Sequence, residues 1–162
     1  MYTIEVNSLT KKFGDFKAVD NISFQVEEGE IFGFLGPNGA GKSTTMMILT
    51  TLLKPTSGYA LVGGHNVVSE AKKVRKKIGY VQQEISVDEF LTGRENLYLH
   101  ARINQVPNNQ ISSRIDEIIE LVELTEKQDK ATLTYSGGMR KRLDIANGLL
   151  SRPAVLFLDE PT

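Results

Sequence analysis

The sequence predicts an α/β fold built around a glycine-rich loop, and three consecutive stretches support this prediction. Residues 30–35 form an apolar run of strand length, residues 36–43 read G-x-x-x-x-G-K-S, and residues 44–53 have helical character before Pro55. Strand, glycine-rich loop and helix, in this order, form a phosphate-binding loop, or P-loop. The alternative is a glycine-rich turn that contains Lys-Ser by chance, and the flanking elements weigh against it.

The residue types in this loop suit the phosphates of a nucleotide. Glycines let the backbone approach closely, so that successive N–H groups converge on phosphate oxygens. Lys42 can reach the β- and γ-phosphates, and the hydroxyl of Ser43 can bind Mg²⁺ at the start of the helix. The helix dipole adds roughly half a positive elementary charge there. The predicted nucleotide-binding residues of the loop are Gly36, Pro37, Asn38, Gly39, Ala40, Gly41, Lys42, Ser43 and Thr44.

Composition indicates a globular protein without a strong charge bias. The 162 residues are 40% hydrophobic and 24% charged, with a net charge of −1, which suits one well-cored domain or a core with a small insertion. Binding to a nucleic-acid backbone normally requires a basic excess, so we expect no nucleic-acid partner. The basic run at residues 72–77 is interpreted as a solvated helix face, and a local anion-binding patch is the alternative.

The chain contains no cysteine, which excludes disulfides and thiolate metal sites and fits a reducing, cytosolic setting. No run approaches the length of a membrane span, and the N-terminus does not resemble a signal peptide. Any association with a membrane is therefore expected to come through another chain.

Residues 2–9 and 18–26 partly alternate between apolar and polar side chains, which is typical of half-buried strands. Residues 11–15 separate them as a turn, so we predict an antiparallel hairpin that delivers Phe13 near the P-loop. An aromatic ring at this tip could stack on a nucleotide base, worth about 1–3 kcal/mol. The alternative is that Phe13 or Phe16 packs beneath the hairpin.

Further elements follow the P-loop helix. They are a short strand and turn at 58–64, a charged helix at 69–76, a strand at 78–81 ending in two glutamines, helical segments at 95–103 and 111–124 broken at 107–109, and a helix at 139–150 opened by Ser136, Gly137 and Gly138. Polar residues at the ends of strands are placed for ligands, and a serine-glycine turn at a helix N-terminus can bind phosphate. Each signal is weak by itself.

The last strand, predicted at 153–160, is apolar and ends in Asp159 and Glu160. Two carboxylates at the end of a buried strand are costly unless a metal or a proton-transfer role offsets that cost. Successive strand side chains face opposite ways, so the two acids are expected to act differently. One can hold Mg²⁺ and the other can face an attacking water. The alternative is a solvated acidic turn.

Taken in order, these stretches closely resemble the ATP-binding domain of ATP-binding-cassette (ABC) transporters. Residues 36–43 are similar to the Walker A motif, Gln83 to the Q-loop glutamine, residues 135–139 to the LSGGQ-type signature, and residues 155–160 to Walker B. The residues at 91–97 and 136–143 are similar to the corresponding segments of multidrug and daunorubicin-resistance-type exporters. The resemblance implies an α/β P-loop NTPase fold, with an N-terminal antiparallel β-subdomain and a helical insertion.

The resemblance also implies a role for each matching residue. Phe13 stacks on adenine, Lys42 binds the β- and γ-phosphates, and Glu160 polarises the attacking water. The implied Mg²⁺ ligands are Ser43, Gln83 and Asp159, and the residues implied to contact ATP held by a second copy are Ser136, Gly137 and Gly138. Tyr135 stands where the family usually has leucine, and we expect little loss from this.

The implied function is Mg²⁺-dependent ATP hydrolysis that drives export. The implied partners are a transmembrane permease and a second nucleotide-binding domain, and the location is cytoplasmic and peripheral to the membrane. The alternatives are a nucleotide-binding fragment without turnover, and a soluble ABC protein that acts outside transport.

The sequence ends directly after Walker B, whereas the family continues through a D-loop, a switch histidine and a strand that lies between the Walker strands. We therefore expect the C-terminal part of the core sheet to be missing, slow or no hydrolysis by this chain, and possible non-native strand pairing. His65 and His100 are expected at the surface, away from the switch position. The predicted domains are a hairpin and P-loop core at 1–85, a helical subdomain at 86–150 and the Walker B strand at 151–162.

Overall fold

The computed structural model describes residues 1–159 and divides the chain into two compact units. The first comprises Met1–Ile78, and the second begins at Gly79. The strands are β1 (Tyr2–Phe13), β2 (Phe16–Glu27), β3 (Ser57–Val62), β4 (His65–Asn66), β5 (Ile78–Val81) and β6 (Val155–Leu158). The α-helices are α1 (Lys42–Leu49), α2 (Ala71–Arg75), α3 (Gly93–Ile103), α4 (Asn108–Leu121) and α5 (Gly137–Leu149), and two 3-10 helices span Thr125–Lys127 and Thr132–Thr134.

The first unit contains a four-stranded antiparallel sheet with the order β2-β1-β3-β4. β1 and β2 form the predicted hairpin, and their pairing continues to Phe13 opposite Phe16. The tight turn between them uses Gly14, whose φ of 58° lies in the left-handed region that glycine adopts without a steric penalty. The hairpin prediction is therefore confirmed, with strands longer than predicted.

The core of the first unit lies where the sheet meets α1, which contacts β2 and β3. Side chains of period two on β1, including Ile4 and Val6, are buried, as are Ile48 and Leu49 at the end of α1. A strand with alternating apolar residues and an amphipathic helix each carry their apolar side chains on one face, and these two faces pack against each other. The phosphate-binding loop enters α1, so this packing fixes the helix that the loop precedes.

The predicted strand at 30–35 is not formed. Residues 30–37 carry no regular secondary structure, and Ile31 and Leu35 are almost fully exposed. A strand needs a neighbour for its N–H and C=O groups, and within residues 1–159 no strand pairs with this segment. Phe32 instead stacks on Phe24 of β2, with ring centroids 5.3 Å apart. The prediction was wrong in its secondary structure, because apolar character alone does not supply a pairing partner.

Helix α1 ends before the predicted boundary at 53. Thr51 has a left-handed φ of 67°, and its N–H donates to the Ile48 carbonyl while the Leu52 N–H donates to Met47. This pair of bonds is a Schellman motif, in which glycine is the usual left-handed residue. The Thr51 hydroxyl accepts a 3.0 Å hydrogen bond from Arg75, so the residue has a second contact that favours threonine.

The second unit is mainly helical. α3, α4 and α5 pack around one apolar core, and Pro107 stands immediately before α4, as the predicted break requires. The core residues are Leu97, Ala101, Ile111, Ile115, Ile118, Ile119, Val122, Leu124, Tyr135, Leu143, Ala146 and Leu150. Each Å² of apolar surface that folding removes from water contributes about 25 cal/mol to the free energy of folding. This buried core is therefore the main source of stability in the unit.

Strands β5 and β6 form a separate two-stranded sheet. Strand β6 is shorter and less buried than predicted, since only Phe157 is fully buried and Leu158 is exposed. Its one neighbour in the described part of the chain is β5, so one edge of β6 has no strand to cover it. Among the described helices, none has both the length and the apolar character needed to cross a bilayer.

Candidate nucleotide-binding site

The P-loop leads into α1 through Gly41, whose φ of 83° is left-handed. A Cβ at this position would collide with the carbonyl oxygen of Ala18 on β2. Gly41 is therefore required both by its backbone conformation and by the close approach of the hairpin. No side chain caps α1, so the N–H groups of its first turn are left for a ligand.

The Lys42 ammonium is folded back onto the loop that precedes it. Its Nζ donates to the Gly36 carbonyl at 2.6 Å and to the Pro37 carbonyl at 2.9 Å. The Ala40 N–H also donates to Pro37, at 3.2 Å, and closes a turn inside the loop. These carbonyls hold the cation against the loop that precedes α1, and phosphate oxygens can replace them as its partners. Ser43, in the same turn, is exposed.

Phe13 lies at the end of the β-hairpin with its ring accessible. Its exposed fraction is 51%, that of Phe16 is 65%, and the Lys11 ammonium lies 5.0 Å from the Phe13 ring centroid. The alternative that one of these rings packs beneath the hairpin is therefore wrong. An exposed ring with a cation on one face keeps its other face for stacking.

In the second unit, two predicted metal ligands follow neighbouring strands. Gln83 comes after β5 and is exposed, and Asp159 comes after β6. The Asp159 N–H donates to the Val81 carbonyl at 3.0 Å, which aligns the ends of the two strands. The segments that carry these two residues thus leave the two-stranded sheet at the same end.

Tyr80 is a further residue at this edge that the sequence reasoning missed. Burial raises the pKa of its phenol, and the adjacent Asp159 carboxylate raises it further, through its charge and a hydrogen bond. A neutral Tyr80 is a donor that can orient the carboxylate. The signal in the sequence was an aromatic residue with a polar tip inside an otherwise aliphatic strand.

The ligand types fit Mg²⁺, which prefers oxygen donors and is usually bound through one or two carboxylates, water and phosphate oxygens. The three residues that the sequence predicts as ligands carry oxygen donors of this kind: Ser43 a hydroxyl, Gln83 an amide oxygen and Asp159 a carboxylate. Within residues 1–159, no group of three or more acidic or histidine side chains forms a cage for a metal. A metal held mainly by the phosphates of its nucleotide needs no such cage. Glu160, the predicted base, lies outside the described residues.

The serine-glycine turn forms the N-terminus of α5. Ser136 is the N-cap, and its hydroxyl accepts a 3.2 Å hydrogen bond from the Met139 N–H. Ser136, Gly137 and Gly138 are all exposed, so their polar groups are accessible to a ligand. The helix begins earlier than the predicted residue 139, because the two glycines adopt helical conformation after the cap.

Tyr135, which stands in place of leucine, is buried and structural. Its hydroxyl donates to the Lys127 carbonyl at 2.7 Å, and a Cβ at Gly93 would collide with the same hydroxyl. Burial raises the pKa of the phenol, and the charge of Asp129 adds to this effect. The residue thus binds the chain immediately before α5 to Lys127 and packs against Gly93, while the neighbouring Ser136 is exposed.

The two histidines are less exposed than predicted. His65 is half-buried, and its Nδ1 lies 3.4 Å from the Glu70 carboxylate. His100 is also half-buried, on α3, and burial lowers the pKa of its imidazole, while a hydrogen bond with the Ser86 backbone and the charge of Asp144 oppose this. Both are partly exposed and form contacts within their own unit.

The basic run forms α2 and the turn after it, with exposed cations at Lys72, Lys73, Arg75, Lys76 and Lys77. This matches the interpretation as a solvated helix face, although α2 is shorter than predicted. Glu70 precedes the helix, and its hydrogen bond from the Lys73 ammonium, together with the Asn66 backbone N–H, lowers the pKa of its carboxyl to about 2.

A family described as "ABC transporter" matches residues 19–162. Among curated relatives, the chain is 46% identical over 159 residues to the daunorubicin resistance ATP-binding protein DrrA3 of Streptomyces coeruleorubidus, covering 98% of this chain and 50% of that protein. It is 39% identical to the linearmycin resistance ATP-binding protein LnrL of Bacillus subtilis, with 98% and 51% covered. The chain thus spans about half the length of the curated relatives it matches.

Solved structures agree with this match. The structure of cbiO1 from Clostridium perfringens, described as part of the ABC transporter complex cbiONQ, superposes with a TM-score of 0.90 at 31% identity, covering 99% of this chain and 66% of that one. The dimeric ATP-binding cassette MJ0796, bound to ADP and Pi, superposes with a TM-score of 0.80 at 29% identity, covering 98% and 74%. The predicted ABC ATPase fold is therefore confirmed.

Proposed function

Because the chain belongs to the ABC transporter family, we propose that it binds Mg-ATP and that the full-length protein hydrolyses ATP to drive export across a membrane. One observation carries this proposal: α1 follows Gly41 without a side-chain cap, and the ammonium of its first residue, Lys42, binds two carbonyls of the loop that leads into the helix. A helix N-terminus with an adjacent cation is suited to phosphate.

The proposed binding step uses the P-loop and the hairpin. Residues 36–44 surround the β- and γ-phosphates with backbone N–H groups, and Lys42 leaves its carbonyl partners for phosphate oxygens. Phe13, exposed at the end of the hairpin, stacks on adenine. The residues proposed to hold the Mg²⁺ of Mg-ATP are Ser43, Gln83 and Asp159, and the ion would neutralise part of the phosphate charge.

The proposed hydrolysis is a phosphoryl transfer to water. Its barrier is lowered mainly by positioning and by electrostatic stabilisation of the phosphoryl oxygens. Lys42 and the P-loop amides supply positive charge, and Glu160 orients the attacking water. Ser136, Gly137 and Gly138 complete the site of a second copy, as expected for exposed donors at the N-terminus of α5.

The proposed setting is the cytoplasmic face of a membrane, where a permease subunit binds the protein and a second copy closes over ATP. Relatives are named for resistance to daunorubicin and linearmycin. We infer that the exported substrate belongs to the same broad class of antibiotic-like small molecules. Expression of the full-length protein with its permease in a drug-sensitive strain tests this, since unchanged resistance to every such compound would contradict the substrate class.

Lys42→Met tests nucleotide binding. It should weaken ATP binding in titration calorimetry by about tenfold or more, or at least ~1.4 kcal/mol, because phosphate oxygens lose their ammonium partner. Lys54→Met is the matched control, since Lys54 is an exposed lysine of the same unit outside the P-loop. Equal affinities for the two variants would contradict the proposed role.

Glu160→Gln in the full-length protein tests turnover separately. It should retain ATP binding but slow phosphate release by about 10²–10⁴-fold, the range typical of a positioned acid or base. A variant that still releases phosphate at the rate of the unchanged protein would reject Glu160 as the base. Binding without any turnover in the unchanged full-length protein would leave only a nucleotide-binding role.

A further inference from the structure

The segment that carries Gln83 is fastened to helix α5 of the signature turn. Residues 82–86 are exposed and follow β5. The Asp144 carboxylate lies beneath them: its Oδ1 accepts from the Ser86 N–H at 3.2 Å and from the Ser86 hydroxyl at 2.8 Å. Asp144 itself is only 2% exposed. The contact therefore joins an exposed loop to a buried side chain of α5.

A second contact holds the other side of Gln83. The Lys141 ammonium donates to the Gln82 carbonyl at 3.1 Å and lies 3.9 Å from Asp144 Oδ2. Lys141 and Asp144 are one turn apart on α5, and His100 of α3 adds a hydrogen bond with the Ser86 backbone. Gln83 is thus bracketed by residues that are each bound to the helical core.

Burying a carboxylate where a helix packs costs desolvation free energy. Asp144 Oδ2 is buried and has no hydrogen-bond partner within the described residues, so part of its desolvation cost is not recovered there. An apolar residue would fill the same space at lower cost. The contacts that an apolar residue could not replace are the double hydrogen bond to Ser86 and the ion pair with Lys141, which itself binds the loop through the Gln82 carbonyl. This points to a role in placing the loop rather than in stabilising the helical core.

We propose that Asp144, assisted by Lys141, is a positioning residue that fixes Gln83 relative to the helix that begins at Ser136. The inference rests on the proposed function, in which Gln83 binds the Mg²⁺ of Mg-ATP. Since α5 is one continuous helix, its N-terminus and the Asp144 anchor move together. A displacement of the signature turn is thereby transmitted to the loop that carries the metal ligand.

The test is Asp144→Ala in the full-length protein. At saturating ATP, the Mg²⁺ concentration for half-maximal hydrolysis should rise by about 10-fold, the lower limit for loss of a residue that orients a metal ligand. ATP binding in the presence of EDTA should remain unchanged, because the P-loop belongs to the first unit. Ser86→Ala removes only the hydroxyl bond and should raise the Mg²⁺ requirement by a smaller factor.

Hydrogen exchange supplies a readout that does not depend on turnover. In Asp144→Ala, amides of residues 82–87 should exchange faster, while those of α4 keep their protection. Arg142→Ala is the matched control: it removes a cation from the same helix, but Arg142 pairs with Glu123 and the Val122 carbonyl instead of the loop. It should leave both the Mg²⁺ requirement and the loop exchange unchanged.

Two results would overturn the proposal: an Asp144→Ala protein with an unaltered Mg²⁺ requirement, or loss of Mg²⁺-free ATP binding to the same extent as Mg²⁺-dependent activity. If Asp144→Ala fails to fold, Ser86→Ala decides, and an unaltered Mg²⁺ requirement there overturns it. Failure of the proposed function has a different signature, since the unchanged protein would then bind no ATP, or would bind it without releasing phosphate. In that case the exchange rates of the amides at residues 82–87 would still show whether Asp144 attaches the loop to α5.

Discussion

The helices α1 and α5 both begin at glycine-containing motifs, yet only one of the two has a side chain that caps its N-terminus. Helix α1 follows a left-handed Gly41 and has no side-chain cap, whereas α5 follows Ser136, whose hydroxyl accepts from the Met139 N–H. The first four N–H groups of any α-helix lack partners within the helix. α1 leaves them for a ligand, and α5 has already satisfied one of them.

The two helices also differ in the end at which a cationic side chain is found. Arg114 of α4 donates to the carbonyls of Leu150 at 3.1 Å and Leu149 at 2.6 Å, so the C-terminus of α5 is closed by a cation. At α1, the Lys42 ammonium is held instead at the N-terminus, where the helix dipole is positive. α5 therefore has a side-chain partner at each of its ends within its unit, whereas the N-terminus of α1 has none.

The largest effect is expected from Gly41→Ala, which should abolish measurable ATP binding. The change imposes a left-handed alanine and a collision with the Ala18 carbonyl, and together these should cost about 3 kcal/mol or more. Gly39→Ala is the matched control, because Gly39 has a similar φ of 82° but open space where its Cβ would lie. It should cost only the left-handed strain, about 1–2 kcal/mol. Titration calorimetry and urea unfolding compare them, and equal losses would contradict the argument from close approach.

A smaller loss is expected from Arg114→Ala, which should lower the free energy of unfolding by about 2–3 kcal/mol, because two carbonyls at the end of α5 lose a charged donor. Urea unfolding measures it. A change within experimental error would show that the C-terminus of α5 does not depend on Arg114.

Glu117→Gln is the control for this variant, since Glu117 pairs with Arg114 at 2.7 Å and with Arg152 at 2.9 Å, and both of these partners lie outside α5. Hydrogen bonds from Arg114 and Arg152 lower the pKa of the Glu117 carboxyl. A lowered pKa in the folded state stabilises at neutral pH, and this contribution disappears as the pH falls from the ordinary glutamate value through the folded pKa. The control should therefore lose this contribution at pH 7, which is small because the pair is exposed, and its difference in stability from the unchanged protein should vanish as the pH falls through the folded pKa.

The local pattern of apolar and polar residues predicted a secondary-structure element correctly where the residues that it pairs or packs with lie nearby in the chain. The hairpin and the apolar faces of α3 and α4 follow from alternation and helical spacing, and both motif glycine loops lie where predicted. The segment 30–35 was predicted as a strand because it is apolar, but strand formation requires a pairing neighbour that pattern does not report.

Helix ends were also harder to predict than helix faces. Gln105 and Glu123 adopt left-handed φ values of 58° and 55° at the ends of α3 and α4, as Thr51 does after α1. No glycine marks these positions, so the usual stop signal is absent from the sequence. The bonds from Ser86 to Asp144 join residues 58 positions apart, and a pair at this separation carries no local signature.

Ser136→Ala should have the smallest effect and bears most directly on the contrast between the two N-termini. Loss of a serine N-cap costs about 1 kcal/mol, so the free energy of unfolding should fall by that amount. Ser43→Ala is the matched control, because Ser43 lies inside the first turn of α1 and that helix has no side-chain cap. It should leave stability unchanged while reducing Mg²⁺-dependent ATP binding. Urea unfolding and calorimetry separate the two effects, and equal destabilisation by both variants would show that α1 is capped by its serine after all.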